Sequence, residues 1–368
     1  MGFVEPHSIL SLSCSRDNKK SKKRECLAYL TYFTVTSCKI QYIFLLIFYS
    51  FFHIAAESAV AILCRSGYNR HIKKQPASHA GGKGDSMRTG FIGAGRVGCS
   101  IGKYLSESGI PVAGYYDRIQ EAAHEAASFT SSQRFDSLPA LVAGSDLIFL
   151  TTPDSLIRRT WEDIRPLPLS GRLICHCSGA LPADAFLGIQ QTGAFGCSLH
   201  PMLPFHDRFS SYKQLHHAFF TIEGDEHAVL TLTDLFTRLG NTVCRIPGAC
   251  KPKYHAAASI LSNQVIAVLD TGYRLLEECG FSRDAARNAT AELVRQNIEN
   301  VLSHDCIQAL TGPIDRCDCT TVQKHLDCLD QETLRMYQVL GCKLVQLAEQ
   351  KNPGQDYAVL KKLLQKKI

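Results

Sequence analysis

"RTGFIGAGRVG", residues 88–98, decides the fold. A short apolar run enters a turn holding Gly93, Gly95 and Gly98 in the spacing G-x-G-x-x-G. In a dinucleotide fold the first glycine permits the tight turn and the second lets a pyrophosphate approach the backbone. The third lets strand and helix pack closely. The adjoining "RVGCSIGKYLSESG" reads as a helix with Val97, Ile101 and Leu105 on one face and Gly109 as its stop. Its N-terminus offers unpaired N–H groups and a positive dipole end to an anion. Arg96 and Val97 stand in that first turn beside the glycines.

Working outward, "PVAGYYDR" is a second strand, and Asp117 falls 24 residues after Gly93. An acid at that distance suits the ribose hydroxyls of an adenosine. Asp117 repels a 2′-phosphate, whereas Arg118 and Arg96 attract one, so the residues leave NAD or NADP open. "SDLIFLTTPDSLI" is a buried strand ending at Thr151, Thr152 and Pro153, on the nicotinamide side of the crevice. "GRLICHCSGAL" ends at Ser178-Gly179, "GAFGCSLHPM" ends at His200-Pro201, and "HHAFFTIEG" and "NTVCRIP" add two strands. This alternation predicts an α/β protein: a Rossmann-type doubly wound, mostly parallel sheet over residues 87–248, binding NAD(P).

After Pro247 the pattern is helical, predicting an all-α substrate and dimerisation domain over 249–368. "KPKYHAAASILSNQVIAVLDTGYRLLEECG" reads as one long helix stopped by Gly280. His255, Ser259 and Asn263 recur at i, i+4 and i+8, a polar stripe that meets either the neighbouring domain or the substrate. Ser282 is placed to cap the next helix. Gly312-Pro313 breaks a later one, and Thr320 or Thr321 starts its successor. Arg316 and Asp318 between them anchor an acidic substrate or pair with one another.

Ser178 and His200 each fall at the C-terminal end of a strand, the edge where this fold holds ligands. A histidine there takes a hydroxyl proton as hydride leaves, or returns it in the reverse direction. Ser178 is placed to bond the same oxygen, and His255 and Asn263 to reach the substrate from the helical domain. His176, inside its strand, is less suited. These residues predict an NAD(P)-dependent oxidoreductase acting on a small hydroxyl/carbonyl or amine/imine compound. The rival reading is an NAD(P)-binding sensor or interaction protein without turnover.

The totals agree with a globular chain. It has 368 residues, 45% hydrophobic and 20% charged, with a net charge of +6. Much of the basic excess sits at the two ends, without a basic stripe interleaved with aromatics, so no nucleic-acid partner is expected. The 16 cysteines read as reduced thiols of a cytoplasmic protein. The pairs Cys175/Cys177 and Cys317/Cys319 lack a second pair at chelating distance, and no metal is expected.

Residues 1–86 differ in character. "IQYIFLLIFYSFFHIAA", residues 40–56, is 17 residues long, close to the roughly 20 of a spanning helix. One reading makes it a membrane anchor. The other starts translation at Met87. Gly81-Gly82-Lys83-Gly84 requires the purine-rich codons GGN-GGN-AAR-GGN just upstream of that methionine, which would serve as a bacterial ribosome-binding site.

From Met87 onward the chain resembles a family of Rossmann-like oxidoreductases with a helical C-terminal domain of uncharacterised function, often labelled short-subunit dehydrogenase-like. The segments that carry the resemblance are "GFIGAGRVG", "CSGAL", "GCSLHPM", "YHAAASILSN" and "LTGPIDRCDCTTVQKHL". It implies NAD(P) binding and a homodimer paired through the helical domain. The layout is distantly similar to prephenate dehydrogenase, pyrroline-5-carboxylate reductase, ketopantoate reductase and 6-phosphogluconate dehydrogenase. Ser178 and His200 match the serine and histidine that prephenate dehydrogenase uses at its reacting hydroxyl. The substrate-carboxylate arginine of that enzyme has no match here, and neither does the Lys-x-x-x-Asn pair of 6-phosphogluconate dehydrogenase.

Overall fold

A computed structural model describes residues 87–366. The apolar run 40–56 and the stretch upstream of Met87 lie outside them. Among the described residues no helix is long and apolar enough to cross a membrane.

The first half alternates strand and helix. The strands are β1 (Thr89–Ile92), β2 (Val112–Tyr116), β3 (Gln133–Arg134), β4 (Leu147–Leu150), β5 (Leu173–His176), β6 (Phe195–Pro201), β7 (Phe219–Gly224) and β8 (Thr242–Arg245). The helices are α1 (Arg96–Glu107), α2 (Gln120–Thr130), α3 (Leu138–Gly144), α4 (Asp154–Ile164) and α5 (Glu226–Arg238). One sheet orders the strands β3-β2-β1-β4-β5-β6-β7-β8. β1 pairs in parallel with both β2 and β4, so the winding reverses between β1 and β4. That reversal opens a crevice at the strand ends, where this architecture binds ligands. β7 runs antiparallel to β6, and β8 pairs in parallel with β7.

The central strands are continuously apolar because helices cover both faces. Phe91, Phe149 and Cys175 join the core on one side. Their neighbours Ile92, Ile148, Leu150 and Ile174 join the core on the other. α4 contributes Ile157, Trp161 and Ile164 to the second core. Trp161 is 1% exposed and its indole N–H donates to the Leu187 carbonyl at 2.9 Å. Truncating such a side chain to alanine costs about 3–5 kcal/mol. β3 is a strand the sequence does not announce, because both its residues are exposed and carry no apolar alternation.

The second half is helical: α6 (Lys251–Ser259), α7 (Val265–Glu278), α8 (Arg283–Ser303), α9 (Cys306–Ala309), α10 (Cys319–Cys328), α11 (Gln331–Lys351) and α12 (Ala358–Gln365). α6 and α7 are the expected long helix, interrupted by a π turn at Ile260–Gln264. Gly280 stops it with φ +93°, and the Ser282 hydroxyl caps α8 by accepting from the Ala285 N–H at 3.2 Å. Asp318, rather than either threonine, caps α10 by accepting from the Thr321 N–H at 3.0 Å. A third core of Leu310, Val322, Val345, Tyr357 and Leu360 joins α10, α11 and α12.

Candidate active site

At the reversal point the glycine turn is built as its sequence requires. Gly93 has φ +108°, and a Cβ there would lie 2.8 Å from the Thr151 backbone. A Cβ on Gly98 would strike the Gly93 carbonyl and come within 2.6 Å of Thr151 Oγ1. Thr151 itself donates through Oγ1 to the Gly93 carbonyl at 2.8 Å, locking β4 to the turn. Gly95 faces open space. It precedes α1, whose N-terminus has no side-chain cap and no acid in its first turn. Its unpaired N–H groups are therefore free for an anion.

This turn forms one wall of a cavity of about 340 Å³, also lined by Asp117, Arg118, Thr152 and Pro153. That volume lies at the lower end of the range for small-molecule sites, ~300–1,000 Å³. Ile92, Leu138 and Leu156 give it an apolar side suited to a flat ring. Two observations test whether a dinucleotide fits. Gly95 leaves room where a phosphate would pass. The Thr152 hydroxyl is buried without a protein partner and lines this cavity, so it is free to bond a group that enters it. The residues present fit the group. Asp117 is partly committed: its two oxygens accept from Ala94 N–H at 2.8 Å and Ile119 N–H at 2.9 Å. The acid thus fastens the glycine turn to the end of β2. Arg96, Arg118 and Pro153 are not buried, and Val97 is half-buried.

Farther along the crevice β6 overshoots its neighbour. β5 ends with His176 opposite Ser198, leaving His200 beyond the edge. His200 Nδ1 and the Tyr254 hydroxyl share a hydrogen bond of 2.7 Å. The other ring nitrogen lies beside Gly179, where an added Cβ would approach Nε2 to 2.9 Å and also strike the His255 ring. The two imidazoles stand 6.2 Å apart, centre to centre. Burial pushes His200 down to about 4, and the charges of Lys251 and His255 add to it. The ring is neutral near pH 7, able to take a proton or to share one.

Ser178 takes a different part from the expected one. Its hydroxyl donates to Asp154 Oδ2 at 2.6 Å and accepts from the N–H groups of Ala180 and Leu181 at 3.2 and 2.9 Å. A hydroxyl has one donor and two acceptor directions, and all three are used inside the protein. Ser178 therefore shapes the turn after β5 rather than bonding a substrate oxygen. Asn263 lies within the π turn and is exposed, accepting from Ser262 Oγ at 3.2 Å. The π turn begins one residue past Ser259, so the spacing of His255, Ser259 and Asn263 does not run through regular α-helix.

Four residues were not singled out by the sequence: Lys251, Tyr254, Asp154 and Glu223. Lys251 is 1% exposed. Its ammonium donates to the Ser178 carbonyl at 2.5 Å and to the Ser198 hydroxyl. Burial pushes it below the usual lysine range, opposed chiefly by the nearby Glu223 carboxylate. Burial also pushes Glu223 up, opposed by the Ala183 N–H from which it accepts at 2.7 Å. The available signal was position: Lys251, Tyr254 and His255 share the first helix after the sheet at i, i+3 and i+4. Among the described residues the twelve cysteines are all free, and no group of three or more His, Cys, Asp or Glu side chains is placed to hold a metal.

No curated protein matches the sequence. Solved structures share the fold. A Bacteroides fragilis protein assigned as an NADP oxidoreductase superposes with a TM-score of 0.58 at 20% identity, over 71% of this chain and 98% of its own. A Thermotoga maritima protein gives 0.56 at 22% identity, over 72% and 98%. The NADH-preferring ketol-acid reductoisomerase of an uncultured archaean gives 0.52 at 12% identity, over 76% and 82%. These likenesses establish the fold. Residues 73–201 match the Rossmann-like domain, and residues 218–344 match the domain of unknown function DUF2520. In chain order, then, a Rossmann-like domain is followed by a DUF2520 domain.

Proposed function

We propose that the chain is an NAD(P)-dependent oxidoreductase that reduces or oxidises a small carbonyl/hydroxyl or imine/amine compound. The observation that carries this reading is the glycine turn with its uncapped helix and the unpaired Thr152 hydroxyl, gathered about one cavity. The bound coenzyme would supply the hydride donor or acceptor. The N–H groups at the start of α1 hold the pyrophosphate, Asp117 and Arg118 meet the adenosine ribose, and Thr152 bonds the nicotinamide half. Structural likeness to a protein assigned as an NADP oxidoreductase and to an NADH-preferring reductoisomerase supports the choice of coenzyme.

His200 holds the proton in this reading. Its Nε2 lies beside the Gly179 backbone, where the lack of a side chain lets the imidazole approach the turn after β5. Tyr254 fixes the ring through Nδ1, and His255 packs against the same glycine. Ser178 and Asp154 shape the turn that carries Gly179. A second copy of the chain covers the helical half. α7 buries no residue and α8 only Ala286, while Leu261, Ile266, Leu293 and Leu302 lie exposed on the helices.

Fluorescence titration with NADPH and NADH, then turnover on a panel of small aldehydes, ketones and imines, tests the assignment. Saturable binding of a reduced coenzyme, with turnover lost in His200→Ala, supports it. Absence of binding to either coenzyme overturns it. Binding without turnover, unaffected by that substitution, would make the protein a nucleotide sensor.

A further inference from the structure

The residue that joins the two halves at the site is a lysine with almost no access to solvent. Lys251 opens α6 directly after the sheet, at 1% exposure. Its ammonium donates to two acceptors, the Ser178 carbonyl past β5 and the Ser198 hydroxyl within β6. The Ser198 hydroxyl donates in turn to the Ser178 carbonyl at 3.3 Å, closing a triangle of polar groups. Ser198 and His200 are two apart on one strand and share a face. Tyr254 and His255 stand one helical turn beyond Lys251 and share its side of α6. The same turn of helix that seats the ammonium brings the Tyr254 hydroxyl to His200 Nδ1.

We infer that Lys251 is a positioning residue of the site: its buried ammonium fastens the first turn of α6 to the ends of β5 and β6, and so sets where Tyr254 and His255 stand against His200. A buried charge is retained only where it is paired and bonded. Here Glu223 of β7 and Asp154 at the start of α4 supply the opposing charge. The neutral groups about the ammonium are the Cys175 and Cys177 thiols, both pushed up by burial, and His176, pushed down to about 4. Facing His200 are Lys251, His255 and Tyr254, all from α6. The fixed cation therefore has a second effect, since it disfavours a charge on that imidazole. Its reach is electrostatic and through the helix. It lies apart from the nucleotide cavity, which β1, β2 and β4 build.

The activity consequence rests on the proton-holding role proposed for His200, whereas the positional one does not. The test is histidine-labelled NMR of the full chain with Lys251→Met, which keeps the stem and removes the charge. In the parent protein His200 is expected to titrate near 4, held down mainly by burial. In K251M its midpoint rises by about half a unit or more, the Nδ1 resonance loses the shift due to Tyr254, and kcat falls about tenfold or more. Affinity for NADPH stays within about twofold, because the coenzyme is held elsewhere. A folded K251M with unchanged His200 titration and unchanged kcat overturns the inference. Loss of coenzyme binding by the parent protein instead overturns the oxidoreductase assignment and leaves the NMR result standing. Should K251M not fold, Ser198→Ala carries the test. Removing one of two acceptors moves the same His200 signals by a smaller amount, and unmoved signals overturn the inference.

Discussion

His200 Nδ1 and the Tyr254 hydroxyl lie 2.7 Å apart, with their rings nearly perpendicular at 87°. The bond joins the last strand of the parallel run to the first helix after the sheet. It leaves Nε2 as the ring nitrogen available beside Gly179. Tyr254→Phe removes the bond and keeps the ring. Stability is expected to change by about 1 kcal/mol or less, coenzyme affinity to stay constant, and kcat to fall about tenfold. Steady-state kinetics beside a coenzyme titration check this, and an unchanged kcat would remove Tyr254 from the site.

Thr152 separates folding from binding. Its hydroxyl is buried without a protein partner, a state that costs about 1–3 kcal/mol. Thr152→Val relieves that cost, so the apo protein should gain about 1 kcal/mol while affinity for the reduced coenzyme drops about tenfold. Thermal melts with and without NADPH read both signs at once. A variant destabilised in the apo state would show that the hydroxyl has an internal partner.

The glycine turn tolerates no added carbon at Gly98, where a Cβ would meet the Gly93 carbonyl and Thr151 Oγ1. Backbone on one side and a locked threonine on the other leave little room to yield. Gly98→Ala is expected to cost about 1–3 kcal/mol and to weaken coenzyme binding by at least about tenfold. Gly95→Ala faces open space and should cost little stability while still impairing binding. Denaturant unfolding and coenzyme titration of the pair distinguish packing from ligand approach.

Acid should weaken the fold through two histidines. His176 and His200 are both pushed to about 4, in each case mainly by burial. The unfolded chain takes up these protons near pH ~6.5, and the native state resists until about pH 4. The unfolded state thus binds more protons between those values, so stability falls as pH drops through that window and is fully present above it. The expected loss is on the order of 1–3 kcal/mol for each histidine. His176→Gln should flatten part of this dependence in urea melts taken from about pH 7 to about pH 4. A flat profile in the parent protein would show that neither ring is held neutral.

The parts of the fold that the sequence exposed are those whose side chains repeat a local rule. Strand β1, the three glycines and helix α1 are legible from spacing alone, since each glycine answers a steric demand of the strand–turn–helix unit. β4 is legible from an unbroken apolar run, as a strand covered on both faces has, and β5 and β6 from runs that stay largely apolar up to their histidines. β3 escaped because two exposed residues leave no pattern. The π turn escaped because one extra residue in a helix does not change its composition. At the site, His200 was legible as a polar residue at a strand end. The burial of Lys251 was not, because only the meeting of β5, β6 and α6 takes that side chain out of water. The role of Ser178 turned on the same kind of information: its hydroxyl is claimed by Asp154, 24 residues earlier in the chain.

The overhang of β6 past β5 has a mechanical meaning. His200 is not carried by a loop: it pairs with Thr221 across the antiparallel β7, as Pro201 pairs with Phe220. A side chain mounted on a laddered strand keeps its aim whether or not the crevice is filled. The imidazole therefore stands on the sheet itself, and Lys251 and Tyr254 anchor the first turn of α6 to the same rigid frame.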